Sequence, residues 1–299
     1  MASGDAFADE VATRERALRR RAAERVGSSA DGSLTELFRT VHDRRARRGA
    51  VGGSAAARGA ERPVEAERGS ADERVLGLES YGPTVRVFRI SRPAGFTFQA
   101  GQYLQLGVPG GRREDFSIAS APHEPHLELA IELHPAGRVT PALFRLAVGD
   151  AVEIGRTAKG SLRLDRRAAH HLMVATVTGI APLRSMLRAA LHDGSPAQFT
   201  VLLGASHAVE LPFHDELTAL AATEPRLTYQ ATVSQPGAAG DRPWRGRTGR
   251  VDGLAAEVAE MIDPATAHVY AVGNKGMIAA VRDHVGRAGF GISTESYGG

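Results

Sequence analysis

The chain has no cysteine among its 299 residues. That absence excludes disulfides, thiolate zinc sites and an iron–sulfur cluster held by the chain's own sulfurs. No run of about 18 apolar residues occurs, which argues against a helical membrane span. The first residues lack the apolar core of a secretory leader, so a cytoplasmic protein is expected. Excess charge is scarce as well. The net charge is +3, and the acidic residues are interleaved with the basic ones throughout. With no recognition motif for nucleic acid, that balance points away from nucleic-acid binding. A small positive excess suits an acidic protein partner instead. His123, His126, His170 and His171 are not spaced with Asp or Glu in a metal-binding pattern, so no metal site is expected. Neither a Gly-x-Ser-x-Gly elbow nor a P-loop is present.

What is present is enough chain for two domains, with 42% hydrophobic residues. Residues 1–72 stand apart. They are rich in Ala, Arg, Gly, Ser and Glu and nearly empty of aromatics, as expected of a disordered or partly helical extension. Within it, residues 12–25 carry a charged helical pattern. Leu34, Leu37, Phe38 and Val41 make one short apolar face, and residues 49–70 read as a linker. From 73 to 166 the texture changes to short strand-like runs at Val75-Leu76, 85–90, 103–108 and 127–133, with a turn into a further strand at 149–154, punctuated by Gly, Pro and Asp. Such a series predicts a small antiparallel β-barrel of six strands, with Lys159–Asp165 closing it. From 167 to 299, strand and helix alternate: strands at 171–176, 199–203, 227–233 and 267–272, helices at 183–191, 210–221, 254–261 and 277–288. That alternation predicts an α/β domain with a Rossmann-like parallel sheet.

Four motifs fall on this frame. Phe98–Leu106 (FQAGQYLQL) precedes Glu114–Pro122 (EDFSIASAP). Then come Thr178-Gly179-Ile180-Ala181-Pro182 and Val272-Gly273-Asn274-Lys275-Gly276-Met277. In this order and at these distances they resemble the ferredoxin–NADP reductase superfamily, over roughly residues 74–299. The resemblance implies a flavoprotein oxidoreductase that passes a hydride between NADH or NADPH and bound FAD, and single electrons to or from an acidic carrier such as ferredoxin or flavodoxin. Two other readings follow from the same likeness: an electron-transfer subunit of a larger oxygenase or hydrogenase complex, or a module that keeps the fold without the cofactor.

Residue by residue, the resemblance implies these roles. Phe116 covers the isoalloxazine, and Ser117 sits beside the flavin nitrogen that receives the hydride. Ile118, Ala119 and Ser120 complete that segment. Glu114 stands where the family has a pyrophosphate-binding arginine, and Arg113 is expected to reach round in its place. Gly137, Val139 and Thr140 open a short helix toward the FAD phosphates, with Thr140 as its cap and Pro141 in its first turn. Thr178, Gly179, Ala181 and Pro182 form the turn that cradles the nicotinamide nucleotide. Thr176 and Val177 replace two family glycines there, and a β-branched Val177 resists positive φ. Ser206 and Ser234 follow the next two strands. Gln235 replaces a family arginine for the 2′-phosphate, leaving Arg245 and Arg247, with Arg242 and Arg250 nearby, as substitutes. The run Trp244–Val251 is closer to NADH-using members. Gly273 and Met277 border the nicotinamide, where Val272 replaces a family cysteine. At the chain end, Tyr297 covers the flavin and Glu295 passes protons.

Overall fold

The computed structural model describes residues 70–237 and 243–297. The helical patterns expected at 12–25 and 34–41, and Arg242, lie outside them. Six strands form the first sheet: β1 (Ser70–Tyr81), β2 (Val85–Ser91), β3 (Tyr103–Gly107), β4 (Arg113–Ser117), β5 (His126–Glu132) and β6 (Ala151–Ile154), in the spatial order β4-β3-β6-β1-β2-β5. All their pairings are antiparallel. Interrupted alternation of apolar and polar residues drives several of them. In β2, for example, Val85, Val87 and Phe88 and Ile90 are buried while Arg86 and Arg89 are half-buried.

The barrel does not close where the sequence suggested. Lys159 makes a single bridge to Tyr103, and Gly160–Asp165 then runs on without strand pairing. Closure comes from the chain just past β4. Ile118 bridges Leu129 on β5, and the Ala119 N–H donates to the Glu128 carbonyl at 2.7 Å. The outer strands β4 and β5 therefore meet at the Ser117–Ser120 segment. A core of Phe88, Ile90, Leu104, Leu106, Leu127, Leu129 and their neighbours fills the inside.

A one-turn helix, α1 (Thr140–Leu143), links β5 to β6. Pro141 sits in its first turn, but Val139 is the N-cap residue and no side chain caps it. The Thr140 hydroxyl points away from that role: it accepts from the His134 N–H at 3.0 Å and also contacts the His134 carbonyl.

The second sheet is wholly parallel: β7 (His170–Thr176), β8 (Gln198–Ala205), β9 (Leu227–Val233), β10 (Arg247–Thr248), β11 (Ala267–Gly273) and β12 (Gly291–Ser296), in the order β10-β9-β8-β7-β11-β12. Its helices are α2 (Ile180–His192), α3 (His214–Ala221), α4 (Val251–Ala259) and α5 (Lys275–Arg287). Continuous apolar runs such as Leu172–Ala175 mark strands buried on both faces. One core packs α4 and α5 onto the sheet. The other packs α2 and α3 and takes in Val87, Ala119, Ala130 and Leu162 from the barrel side. The two sheets thus share a hydrophobic core through α2.

Strand β12 was missed in the sequence because Gly291–Ser296 is short and polar. It is an edge strand with no fully buried residue, so no apolar alternation announces it.

Candidate functional site

The parallel strands reverse their order of addition between β7 and β11, which is where open α/β sheets bind ligands outside the strand C-termini. The two signature turns occupy that point, and they interlock. A Cβ on Gly179 would lie 2.2 Å from the Val272 carbonyl oxygen, and one on Gly273 would lie 2.0 Å from the Thr176 hydroxyl. Gly273 has φ of +146°. Both glycines are required by this contact before any ligand is considered. Asn274 then caps α5, its side chain accepting from the Met277 N–H at 2.8 Å, so the helix opens at Lys275 and Met277 is its third residue.

Val177 confirms the physical tension seen in the sequence. It lies in a 3-10 turn, Val177–Gly179, with φ of +44°. A β-branched residue in the left-handed region costs about 1–2 kcal/mol. The surrounding turn holds it there.

A cleft at the strand ends is lined by Thr176 and Val177, by Gly204 and Ala205 at the end of β8 and Ser206 after it, by Ser234 after β9, by Gly249–Asp252, and by Asn274 and Met277. Ser206, Ser234 and Met277 were expected there. Thr178, Gly179, Ala181 and Pro182 lie in the adjoining turn and first turn of α2, with all but Thr178 buried. Arg250 and Asp252 were not singled out together; they form an ion pair at 2.9 Å on the cleft wall. Of the expected arginines, Arg247 pairs with Glu257. Neither Arg245 nor Arg247 lines the cleft.

On the barrel side, β4 ends at Ser117, which is buried. Its hydroxyl lies 3.1 Å from Glu295 Oε1 and 2.7 Å from the Tyr297 hydroxyl, and the Tyr297 hydroxyl donates to Glu295 Oε1 at 2.8 Å. The Tyr297 N–H is anchored to the Gly273 carbonyl at 3.1 Å. Three residues, one of them 180 positions from Tyr297 in the chain, form one cluster, with two hydroxyl protons shared among three short contacts. Burial first, and then the Glu295 carboxylate, hold the Tyr297 phenol well above its usual range, with the Ser117 hydrogen bond working the other way. Tyr297 is therefore a proton-bearing donor at neutral pH.

Phe116 and Glu114 share one side of β4, while Arg113, Asp115 and Ser117 share the other. Phe116 packs against the barrel core and Glu114 is exposed. The alternation puts Arg113, expected to reach round in place of the missing arginine, on the side of β4 opposite Glu114, where it pairs with Glu153 of β6 at 2.8 Å. Ile118, Ala119 and Ser120 are fully buried, and the Ser120 hydroxyl accepts from the Glu128 N–H at 3.1 Å. Gly137 and Val139 lie in the loop before α1, on the far side of β5 in sequence.

Sequence reasoning also missed a buried ion network next to this segment. Arg184 of α2, only 2% exposed, grips Glu216 of α3 with its Nε and one terminal nitrogen at 2.9 and 2.8 Å. Its other terminal nitrogen donates to the Ala119 carbonyl at 2.8 Å and lies 3.0 Å from Glu128. The guanidinium also sits 4.3 Å over the Phe213 ring. An arginine inside an apolar helical stripe was the available signal. Glu124, His126 and Glu128 bring three potential metal ligands within 4.8 Å of one another. However, Arg188 neutralises Glu124, and Arg89 and Arg184 neutralise Glu128, so these carboxylates already have cationic partners.

Comparison with known proteins accords with this arrangement. Residues 173–283 match the oxidoreductase NAD-binding domain family. Ferredoxin–NADP reductase B of Sorangium cellulosum is 35% identical over 223 residues, covering 71% of this chain and 89% of that protein. The reductase component of phenol 2-monooxygenase from a Pseudomonas species is 32% identical over 197 residues, 64% of this chain and 54% of that protein. Against that relative, the chain spans about half the length. Among solved structures, a ferredoxin NADP+ reductase from Neisseria gonorrhoeae with bound FAD and NADP superposes with a TM-score of 0.65 at 23% identity, covering 75% of this chain and 97% of that one.

Proposed function

Because this chain belongs to the ferredoxin–NADP reductase family, and so is an FAD-dependent NAD(P)H oxidoreductase, we propose that the Ser117–Glu295–Tyr297 cluster is its hydride-transfer site. The Ser117 hydroxyl, held at the meeting point of β4, β12 and the β11 turn, is the observation that carries this reading. The donor set fits a flavin ring edge: a buried hydroxyl, a protonated phenol and a carboxylate converge at the mouth of a parallel sheet. The bound flavin supplies the chemistry that converts a two-electron hydride into single electrons.

The chain's own residues do the rest. Phe116, half-buried and next to Ser117 in the chain, is the aromatic available to stack on the ring. Ser117 donates one hydrogen bond and so orients whatever accepts it. Glu295 holds both hydroxyls in register and is placed to move a proton between them and the ring edge. Tyr297, tied to Gly273 through its backbone, covers the site until the nicotinamide takes its place. The interlocked turns at Thr176–Gly179 and Gly273–Asn274 hold the nucleotide across the strand ends, with Ser206 and Ser234 farther out. In this reading residues 73–166 are the FAD unit and residues 167–299 the nucleotide unit.

The pyrophosphate end departs from the family, since Glu114 is exposed and Arg113 is paired. We infer weaker FAD retention there, not loss of the site. The partner is an acidic electron carrier such as ferredoxin or flavodoxin, a reading supported by the family and by the net charge of +3. A place in an oxygenase system is the second reading, favoured by the likeness to the phenol 2-monooxygenase reductase. We place the activity in the cytoplasm, where NAD(P)H is supplied; no described helix is long and apolar enough to cross a membrane.

The test is direct. The purified protein should be yellow, and anaerobic titration with NADH and with NADPH should bleach it. A colourless protein that added FAD cannot reconstitute sinks the reading.

A further inference from the structure

One face of α2 presents Arg184, Ser185, Arg188 and His192, spaced so that all four sit on neighbouring turns. Every one of them reaches the barrel segment that follows Ser117. Arg184 donates to the Ala119 carbonyl at 2.8 Å, and the Ser185 hydroxyl donates to the Ser120 carbonyl at 2.6 Å. Arg188 binds Glu124 at 2.7 Å, and the His192 ring stacks on His123 with centroids 3.8 Å apart. Glu124 in turn accepts from the Ala121 N–H at 2.8 Å. The helix that begins at the nucleotide turn is therefore fastened, along its length, to the segment that directly follows the flavin-side hydroxyl of Ser117.

Arg184 is the centre of this fastening. Its fork on Glu216 leaves one terminal nitrogen free to hold Ala119, two residues beyond Ser117. The planar guanidinium can serve both directions at once, which an ammonium on a flexible stem cannot. Beneath it, Phe213 is held at φ of +61°. An aromatic residue in the left-handed region is a costly conformation that the packing must enforce.

We propose that Arg184, assisted by Ser185, is a positioning residue for hydride transfer: it clamps the Ala119 and Ser120 carbonyls to the nucleotide-binding helix and so fixes the distance between Ser117 and the nicotinamide. It touches neither reacting partner. This inference rests on the flavin site proposed above. It predicts a defect in the limiting rate and not in nucleotide affinity, because the clamp sets the relation of two bound groups instead of binding either.

The experiment compares the wild-type holoprotein with Arg184→Lys and with Ser185→Ala. Each is mixed anaerobically with excess NADH or NADPH in a stopped-flow instrument, and bleaching of the flavin band gives the limiting rate and the nucleotide dissociation constant. The limiting rate of Arg184→Lys should fall by about tenfold or more, with the dissociation constant within about twofold and FAD retained on gel filtration. Amide hydrogen exchange should quicken at Ser117–Ala121 in both variants while β8 and β9 keep wild-type protection. A folded, yellow Arg184→Lys that reduces at the wild-type rate overturns the proposal. Should that variant fail to fold, Ser185→Ala decides by the same two measurements, and an unchanged rate overturns it. If the wild type proves colourless, the flavin reading fails on its own. The exchange measurement then decides the clamp, with unchanged exchange at Ser117–Ala121 counting against it.

Discussion

Ser117 and Tyr297 share a hydrogen bond of 2.7 Å between their hydroxyl oxygens across a separation of 180 residues. The bond joins the end of a barrel strand to the residue just past the edge strand of the parallel sheet. Glu295 Oε1 lies within hydrogen-bond distance of both hydroxyls, and two protons serve three contacts, so removing any one of the three changes the other two. Ser117→Ala should slow flavin reduction by NAD(P)H by about tenfold or more, since misplacement of this order costs that much, while FAD content stays near wild type. Stopped-flow reduction together with the flavin-to-protein absorbance ratio checks it. An unaltered rate removes Ser117 from the hydride path.

Glu114→Arg should tighten FAD retention. The substitution removes an exposed carboxylate and restores a guanidinium on the side of β4 shared with Phe116. A charge-assisted hydrogen bond to phosphate contributes roughly 1.5–3 kcal/mol, so the FAD dissociation constant should fall by about tenfold or more. Fluorescence of released flavin measures this, and unchanged or weaker retention counts against the placement of Glu114 at the pyrophosphate.

Val177→Gly should raise the melting temperature. Val177 holds φ of +44°, which glycine adopts without the steric penalty of a β-branched side chain. Part of the gain is offset by the greater freedom of glycine in the unfolded chain, leaving about 0.5–1 kcal/mol, or about 1–4 °C for a domain pair of this size. Val177→Ala, which keeps the Cβ, should gain less. Equal melting temperatures for all three would show that the turn is not strained.

Acid should destabilise the protein in two stages. Burial lowers the His171 imidazole from its ordinary 6.5 to about 4, with His268 and His170 adding to the effect. The unfolded chain therefore takes up this proton first, and stability declines as pH falls from about 6.5 to about 4. Burial alone would raise Glu128 and Glu216, but Arg184 and the other cations beside them hold both carboxylates below their ordinary 4.5. Their contribution is complete above about pH 4.5 and is withdrawn as pH falls below it. Denaturant melts from pH 8 to pH 3 should show both stages, and His171→Phe should reduce the first, with His123, His170 and His268, which burial also lowers, supplying the remainder. Arg184→Met, which leaves buried carboxylates without their partner, should cost about 3–5 kcal/mol at neutral pH. A flat pH profile for the wild type would contradict both assignments.

The sequence alone determined the order of most elements, β4, β10 and β12 excepted. Strand alternation, helical spacing and the turn glycines are local properties, and they place β2, β9 and the later helices within a few residues of where they lie. Gly179 and Gly273 were legible because no other residue fits where two turns touch. Tertiary structure alone decided what meets across the molecule. It closed the barrel through Ile118 and Leu129 instead of Lys159–Asp165, and it turned Arg113 toward Glu153. It revealed β12, whose polar edge carries no apolar pattern. It also buried Arg184 between Ala119, Glu128 and Glu216. Each of these depends on which side chains face one another after folding, and a partner from a distant strand leaves no mark on the local spacing of residues.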